Sequence, residues 1–435
     1  MGGLISRDFE IRDPHLLSAK MIGPPLLFLL SAIIQMAFLF VLLPTRYHVN
    51  DNDNYRTFYK PVAENILAGN GLVGADGKIA LTYPPGYPGV IAATFALADR
   101  LHLNRERTLD FLNILITSLS CVVLFLTVRE VFGEKIGLLA GFLWISYLPN
   151  LWTLVRPNPE TSFTLLLYGG VWVFVLAMKK ESVGGAVTVG VTLGLAALIR
   201  PIGVFLPLVL AAIALLFGTM AKKKRIFIAS LIVAGFVISA TPWETFVMSK
   251  TGKLVLLCTN GPSSMADGLV FALQREPEDQ PMWAPAAVVG MMERANARRS
   301  EMQTTGSVLG FAWGEAKTHP LAFAEFLLLK FFRPWYSTAT RRRESPIVIL
   351  QIFYVPLGVA GLFWGMKRYP EQALAMGVFV SVVVYFWAMA LLTLPIFRYM
   401  VPAFGYVIIF VAIAIDALIA SVRSAAQGNA VPSPR

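Results

Sequence analysis

The strongest constraint on this chain is apolar length. A helix needs about 20 predominantly apolar residues to cross the hydrocarbon core of a bilayer, and about 17 suffice. Runs of that size recur at 22–43, 109–128, 136–153, 160–178, 226–247, 347–366, 372–394 and 399–419. A further apolar stretch, 184–219, is too long for one crossing and is interrupted by Arg200-Pro201. Proline donates no backbone hydrogen bond and biases the residue before it away from helix, so this stretch reads as two short helices. Backbone groups within a bilayer must be satisfied inside their own segment, which makes each run helical. The composition agrees: 56% of residues are hydrophobic and 14% charged, against about 25% charged in soluble domains. The expected fold class is an all-α polytopic membrane protein with about ten transmembrane helices.

Charge orients the spans. Two shorter apolar segments, 84–101 and 319–335, are doubtful crossings; the second carries Glu325 and Lys330. If neither crosses, the basic turns Arg129–Lys135, Lys179-Lys180, Lys222–Arg225 and Lys367-Arg368 all fall on the side of the N-terminus. Basic residues favour the cytoplasmic side, so both termini are expected inside and the two segments become amphipathic helices at the outer surface. The expected organisation is a cytoplasmic tail over 1–21, a transmembrane domain over 22–419 with outer loops at 44–108 and 248–346, and a disordered cytoplasmic tail over 420–435, rich in small and polar residues. The first apolar run is too long for the core of a signal peptide and reads as an uncleaved span. The net charge of +11 suits headgroups and cytoplasmic loops and does not suggest nucleic acid. Cys121 and Cys258 are far apart and the four histidines are scattered, so no disulfide framework or zinc spacing is present.

The outer side collects the residues able to do chemistry. The stretch "RYHVNDNDNYRTFY" puts His48, Asp51 and Asp53 directly after the first span, with Tyr55 and Tyr59 behind them. The two aspartates have three readings: a solvated Asx turn, a general base, or oxygen ligands for a hard divalent ion. Arg156, Arg200 and Arg398 each sit beside the outer end of a span. They can snorkel to headgroups or, around one cavity, hold a lipid phosphate or diphosphate through their planar forks. Glu160 and Tyr399 adjoin two of these arginines, and Tyr83 opens the rigid turn "YPPGYP", which either starts a surface helix or shapes a pocket wall. Trp283, Trp313, Trp335 and Tyr336 serve as belt anchors or sugar-stacking surfaces.

The ordered pieces "YKPVAENILAGNGL", "YPPGYP", "VREVFGEKIGLLAGFLWISYLPN", "RPNPETSFTLLL", "LAALIRPIGVFLPLVL", "THPLAFAEFLLLKFF" and "FRYMVPAFGYVIIF" resemble the integral-membrane glycosyltransferases of the GT-C fold. The resemblance is to glycosyltransferase family 39, with the protein O-mannosyltransferases and the lipid A aminoarabinose transferase, and covers roughly residues 45–415. It implies a sugar donor carried on polyprenyl phosphate and an acid on the first outer loop that deprotonates the acceptor hydroxyl, with inversion at the anomeric carbon. The base would be Asp51 or Asp53. Arg200 and Arg398, with Arg156, would hold the donor phosphate. His48, Tyr55, Tyr59, Tyr83, Glu160 and Tyr399 would line the substrate site. Many members have Asp-Glu where this chain has Asp-Asn-Asp-Asn, so the choice between the aspartates stays open.

No cofactor is implied, and a divalent metal is left unassigned. The acceptor would be a lipid, glycan or protein; the chain is short for the family and carries no extra soluble domain, which favours the first two. The expected location is a bacterial cytoplasmic membrane with the site facing outward. Two alternatives are a transporter or flippase and a ligase for lipid-linked sugars. A transporter commonly shows repeats and mid-span charge; here no repeat is visible and the charges cluster at one face, with few at mid-span. A ligase would place its weight on a late outer loop.

Overall fold

The computed structural model describes residues 22–43, 54–274 and 282–428. Among them there is no sheet, only an isolated bridge between Val73 and Ile79. The helices are α1 (Gly23–Ala37, extended by a widened turn to Leu42), α2 (Lys60–Leu67, preceded by a π turn over Tyr55–Tyr59), α3 (Gly86–Arg100), α4 (Arg105–Phe132), α5 (Glu134–Ser146) and α6 (Leu148–Trp152). They continue as α7 (Glu160–Lys180), α8 (Val183–Ile199), α9 (Leu206–Phe217), α10 (Lys222–Thr251), α11 (Asn260–Asp267) and α12 (Ala286–Ala297). The last are α13 (Thr305–Thr318), α14 (Pro320–Phe332), α15 (Glu344–Arg368), α16 (Ala373–Leu392) and α17 (Val401–Gly428).

Every apolar run read from the sequence is helical. Seven of the described helices are long and apolar enough to cross a membrane, and α8 and α9 are shorter apolar helices either side of the Arg200-Pro201 break. The run at 136–153 is not one helix: it divides at Tyr147 into α5 and α6. Pro149 is the cause, since it has no N–H to continue the ladder from α5 and fits the first turn of α6 instead. α17 continues to Gly428, beyond the Ala420 at which the apolar run ends. "SVRSAAQ" contains good helix formers and no breaker before the glycine. The segments 84–101 and 319–335 form α3 and α14, each burying one face and exposing the other.

Glycine makes the bundle's crossings. Apolar tails solvate apolar side chains as well as the protein does, so helix association in lipid relies on close backbone approach. A Cβ on Gly361 of α15 would lie 1.8 Å from the Phe410 carbonyl oxygen of α17. One on Gly190 of α8 would lie 2.1 Å from the Ile232 carbonyl oxygen of α10. α17 is the central strut, buried along most of its apolar length. α15 turns Ile349, Ile352, Phe353, Val359 and Phe363 outward, a face too apolar for water that a bilayer covers.

The helices alternate in direction, which sorts the charges to two ends. At one end Lys179 bonds Glu130, Lys224 pairs with Glu181, and Arg368 and Lys135 meet the buried Asp416 of α17. At the other end lie α2, α3 and the segment containing α11 to α14. That segment has its own apolar core of Val288, Met291, Met292, Met302, Val308 and Phe326. Beside this core Lys330 is buried, its ammonium 5.6 Å from the Phe326 ring centre. Burial pushes its pKa down from 10.5 to about 7.

Two tests follow from the packing. Gly361→Val should cost about 1–3 kcal/mol or more through overpacking. Gly184→Ala, at a site with nothing within 4 Å, should cost nothing; heating in detergent followed by size exclusion separates the two. For Lys330 the folded pKa lies below the unfolded one, so the unfolded chain binds more protons between pH 7 and 10.5 and stability from this group rises with pH across that window. Lys330→Met should therefore unfold at higher temperature than the parent at pH 6, and the gap should narrow as pH rises through that window. A gap independent of pH would show that the amine is not buried as a charge.

Candidate functional site

Three helix ends meet around one carboxylate. Glu160 opens α7 after Pro159, its backbone N–H donating to Asn158 Oδ1 at 3.0 Å. Acid is favourable at a helix N-terminus. Thr161 next to it donates to Asn113 of α4 at 2.9 Å, locking the two helices together. The Glu160 side chain is 1% exposed.

Arg200 ends α8 in extended geometry (φ −148°, ψ 115°), as a residue before proline must. The broken ladder behind it is repaired by Tyr385 of α16, which donates to the Ile202 carbonyl at 2.6 Å and accepts the Phe205 N–H at 3.1 Å. Repair of this kind is what permits a helix break at membrane depth. Arg398 lies in a short 3₁₀ turn, Phe397–Tyr399, ahead of α17. The approach to that turn is pinned to Ser337, whose carbonyl accepts the Phe397 N–H at 2.8 Å and whose hydroxyl donates to the Pro395 carbonyl.

Both guanidiniums converge on Glu160. Arg398 donates Nε to Oε1 and Nη2 to Oε2, the latter at 2.9 Å, and Arg200 Nη2 lies 3.2 Å from Oε1. The trio carries a net positive charge. Arg398 is half-exposed and Arg200 is buried. The Arg200 guanidinium stacks over the Tyr399 ring at 4.8 Å. Its Nη1 is buried without a hydrogen-bond partner among the described residues, an expensive condition for a charged donor unless a ligand supplies the acceptor.

An aromatic wall completes the site. Tyr59 lies 5.2 Å from Tyr83 and 5.0 Å from Tyr87, ring centre to ring centre. Burial, with Tyr83 and Glu160 adding to it and the two arginines opposing, holds the Tyr59 phenol above its ordinary pKa. Burial does the same for Tyr83 and Tyr399, so all three remain protonated donors. "YPPGYP" contributes the Tyr83 and Tyr87 rings to this wall. It starts α3, and Gly86 lets that helix rest on the Leu198 carbonyl, where a Cβ would come within 2.6 Å. The tyrosine wall is thereby set against the end of α8.

Of the residues singled out in the sequence, Glu160, Arg200, Arg398, Tyr399, Tyr59 and Tyr83 come together. Arg156 is placed instead beside Arg343, whose guanidinium sits 4.0 Å over Trp152. Tyr55 points its hydroxyl at Glu106 of α4. His48, Asp51 and Asp53 lie outside the described residues. Trp335 packs on Trp387 and Phe404, while Trp283 and Trp313 are exposed. Among the described residues no three His, Cys, Asp or Glu side chains gather as metal ligands. Tyr385 and Ser337 support the site and carry no signal as site residues, because each acts through a contact made by distant chain.

The apolar helices define an integral membrane protein, and superposition on solved structures gives it the GT-C fold. A family model described as dolichyl-phosphate-mannose-protein mannosyltransferase matches residues 83–243, the stretch that contains Tyr83, Glu160 and Arg200. Among solved structures, the archaeal oligosaccharyltransferase AglB from Archaeoglobus fulgidus, in complex with an inhibitory peptide and a dolichol-phosphate, superimposes with a TM-score of 0.58 at 13% identity. That match covers 96% of this chain and 53% of AglB, so the chain spans about half the length of the structure it matches. The apo form of the same enzyme matches equally, at 14% identity. ArnT from Cupriavidus metallidurans, bound to undecaprenyl phosphate, gives a TM-score of 0.44 at 14% identity over 95% of this chain and 82% of ArnT. No curated protein matches the chain.

The ion cluster makes a stability prediction. Glu160→Ala leaves Arg200 buried without its counter-ion and should cost roughly 3–5 kcal/mol, whereas Glu160→Gln keeps an oxygen acceptor and should cost less. Thermal unfolding in detergent is the readout; an alanine variant as stable as the parent would mean the carboxylate does not hold the arginines.

Proposed function

We propose that this chain is an inverting glycosyltransferase that moves a hexosyl or pentosyl group from polyprenyl phosphate to an acceptor hydroxyl at the outer face of the membrane. The observation that carries this reading is the buried Arg200 Nη1 with no acceptor among the described residues, beside the half-exposed Arg398 at the end of the bundle away from the basic turns. A phosphate oxygen is the partner such a fork lacks. As the glycosidic bond breaks, charge builds on the leaving phosphate, and two guanidiniums already oriented by Glu160 meet it without rearranging. The protonated phenols of Tyr59, Tyr83 and Tyr399 supply further donors and ring faces for the sugar.

The acceptor hydroxyl is a poor nucleophile and needs a base. Asp51 or Asp53 is our candidate, since the helical turn that carries Tyr59 into the aromatic wall begins at Asn54, one residue after Asp53. The orientation rests on the basic turns at the opposite end, which favour the cytoplasm; we take the membrane to be the bacterial cytoplasmic membrane. The dolichol-phosphate bound by AglB supports the class of donor. The acceptor is a lipid, glycan or protein hydroxyl.

Undecaprenyl phosphate is the probe for the donor site. Arg200→Gln should weaken its binding to purified protein by about 10- to 100-fold, the size of a lost charged hydrogen bond. Asp51→Asn and Asp53→Asn should both bind it normally, and one of them should lose turnover of polyprenyl-phosphate sugars. Unchanged binding by the Arg200 variant would remove the phosphate role, and normal turnover by both aspartate variants would remove the base.

A further inference from the structure

Lys330 of α14 is buried without a counter-ion. Its side chain is 4% exposed. Among the described residues its ammonium makes no hydrogen bond and no ion pair, and the Phe326 ring 5.6 Å away offers only a weak contact. Burying a charge without a partner costs stability, and the gain expected of Lys330→Met at low pH means that an apolar residue would serve the fold better. A group that weakens the fold in this way is characteristic of a site that takes a ligand.

The surroundings tie this amine to the charged end. A Cβ on Gly268, the residue after α11, would lie 2.8 Å from Lys330 Nζ and 2.0 Å from the Thr393 carbonyl oxygen. The end of α11, the amine and the end of α16 therefore meet. Thr393 opens the loop that ends in Arg398 and Tyr399, and Leu394 beside it packs on the apolar core of the α11 to α14 segment. One end of this loop rests beside Lys330, and the other joins the Glu160 cluster.

A second cation stands next to the amine. Asp267, adjoining Gly268, pairs with Arg299 Nη2, while Arg299 Nη1 is buried with no acceptor among the described residues. Asp267 also acts on Tyr399. Burial, with Glu160 and Asp267 adding to it and the two arginines opposing, holds that phenol above its ordinary pKa. Arg200 stacks on the same Tyr399 ring. Tyr399 thus adjoins both the Arg200–Arg398 pair and a second pair of cations whose donors are unfilled.

We propose that Lys330 and Arg299, beside Asp267-Gly268, form a second anion subsite that takes a carboxylate on the transferred sugar, so that the donor carries an acidic sugar of the hexuronic class. A carboxylate has two oxygens, one for the ammonium and one for the guanidinium. The inference rests on the glycosyltransferase reading, in which Arg200 and Arg398 hold the phosphate and the sugar lies against Tyr399.

Full-length protein titrated with undecaprenyl phosphate glucuronate and undecaprenyl phosphate glucose tests it, since the two lipids differ only at C6. The glucuronate lipid should bind at least about tenfold tighter, the size of a charged hydrogen bond. Lys330→Met should bring the two affinities within about twofold of each other, and Arg299→Gln should narrow the gap in the same direction. Sodium glucuronate should raise the unfolding temperature of the parent more than glucose or sodium acetate at the same concentration, and should lose that effect in Lys330→Met. Equal affinity of the parent for the two lipids overturns the subsite, as does a preference that survives in Lys330→Met. If neither lipid nor undecaprenyl phosphate binds, the glycosyltransferase reading falls, and the sodium glucuronate comparison decides the subsite alone. A rise absent from the parent, or shared by Lys330→Met, then overturns it.

Discussion

A carboxylate almost wholly removed from solvent needs cations at hydrogen-bond distance, and Glu160 finds two. The ends of α7, α8 and α17 must therefore meet. Lipid gives helices little reason to associate, so their contacts come from close backbone packing and from polar groups with no better partner. The glycine crossings bring α8 to α10 and α15 to α17, and the Glu160 cluster determines where along their length the helix ends gather. Removing one ion of such a trio is far worse than replacing all of it.

The interruption at Arg200-Pro201 shows how a helix can be broken inside such a bundle. The break frees backbone groups that lipid cannot satisfy. Tyr385, nearly two hundred residues downstream in the sequence, satisfies two of them with one hydroxyl. The outcome is a guanidinium held in extended backbone at the mouth of the bundle, stacked on Tyr399 and partly paired with Glu160. The later loop does the same for Arg398 through Ser337. Two loops of the charged end thus each fix one arginine beside the Glu160 carboxylate.

Local signals made much of this legible. Apolar length identified the long helices of the bundle, and proline identified the break at Arg200. Basic turns sorted the ends. Where reading by length failed, at Tyr147, a proline inside an apolar run was the reason. The placement of Arg156 beside Arg343 could not be read, since its neighbour lies far along the chain. Nothing in the sequence around Glu106 marks its contacts, because Tyr55 and Lys60 come to it from a helical turn some fifty residues away. In the sequence Lys330 is only a charge that makes its segment a doubtful span; the structure buries it against Phe326.

The sequence by itself determined the membrane and the apolar helices, because both follow from the transfer of side chains and backbone between water and lipid. Only the tertiary structure decided which charges touch. Glu160, Arg200 and Arg398 are spread over more than half the chain, and pairing among them depends on the register and rotation of three helices. Apolar pattern leaves those free, and backbone packing at single glycines settles them.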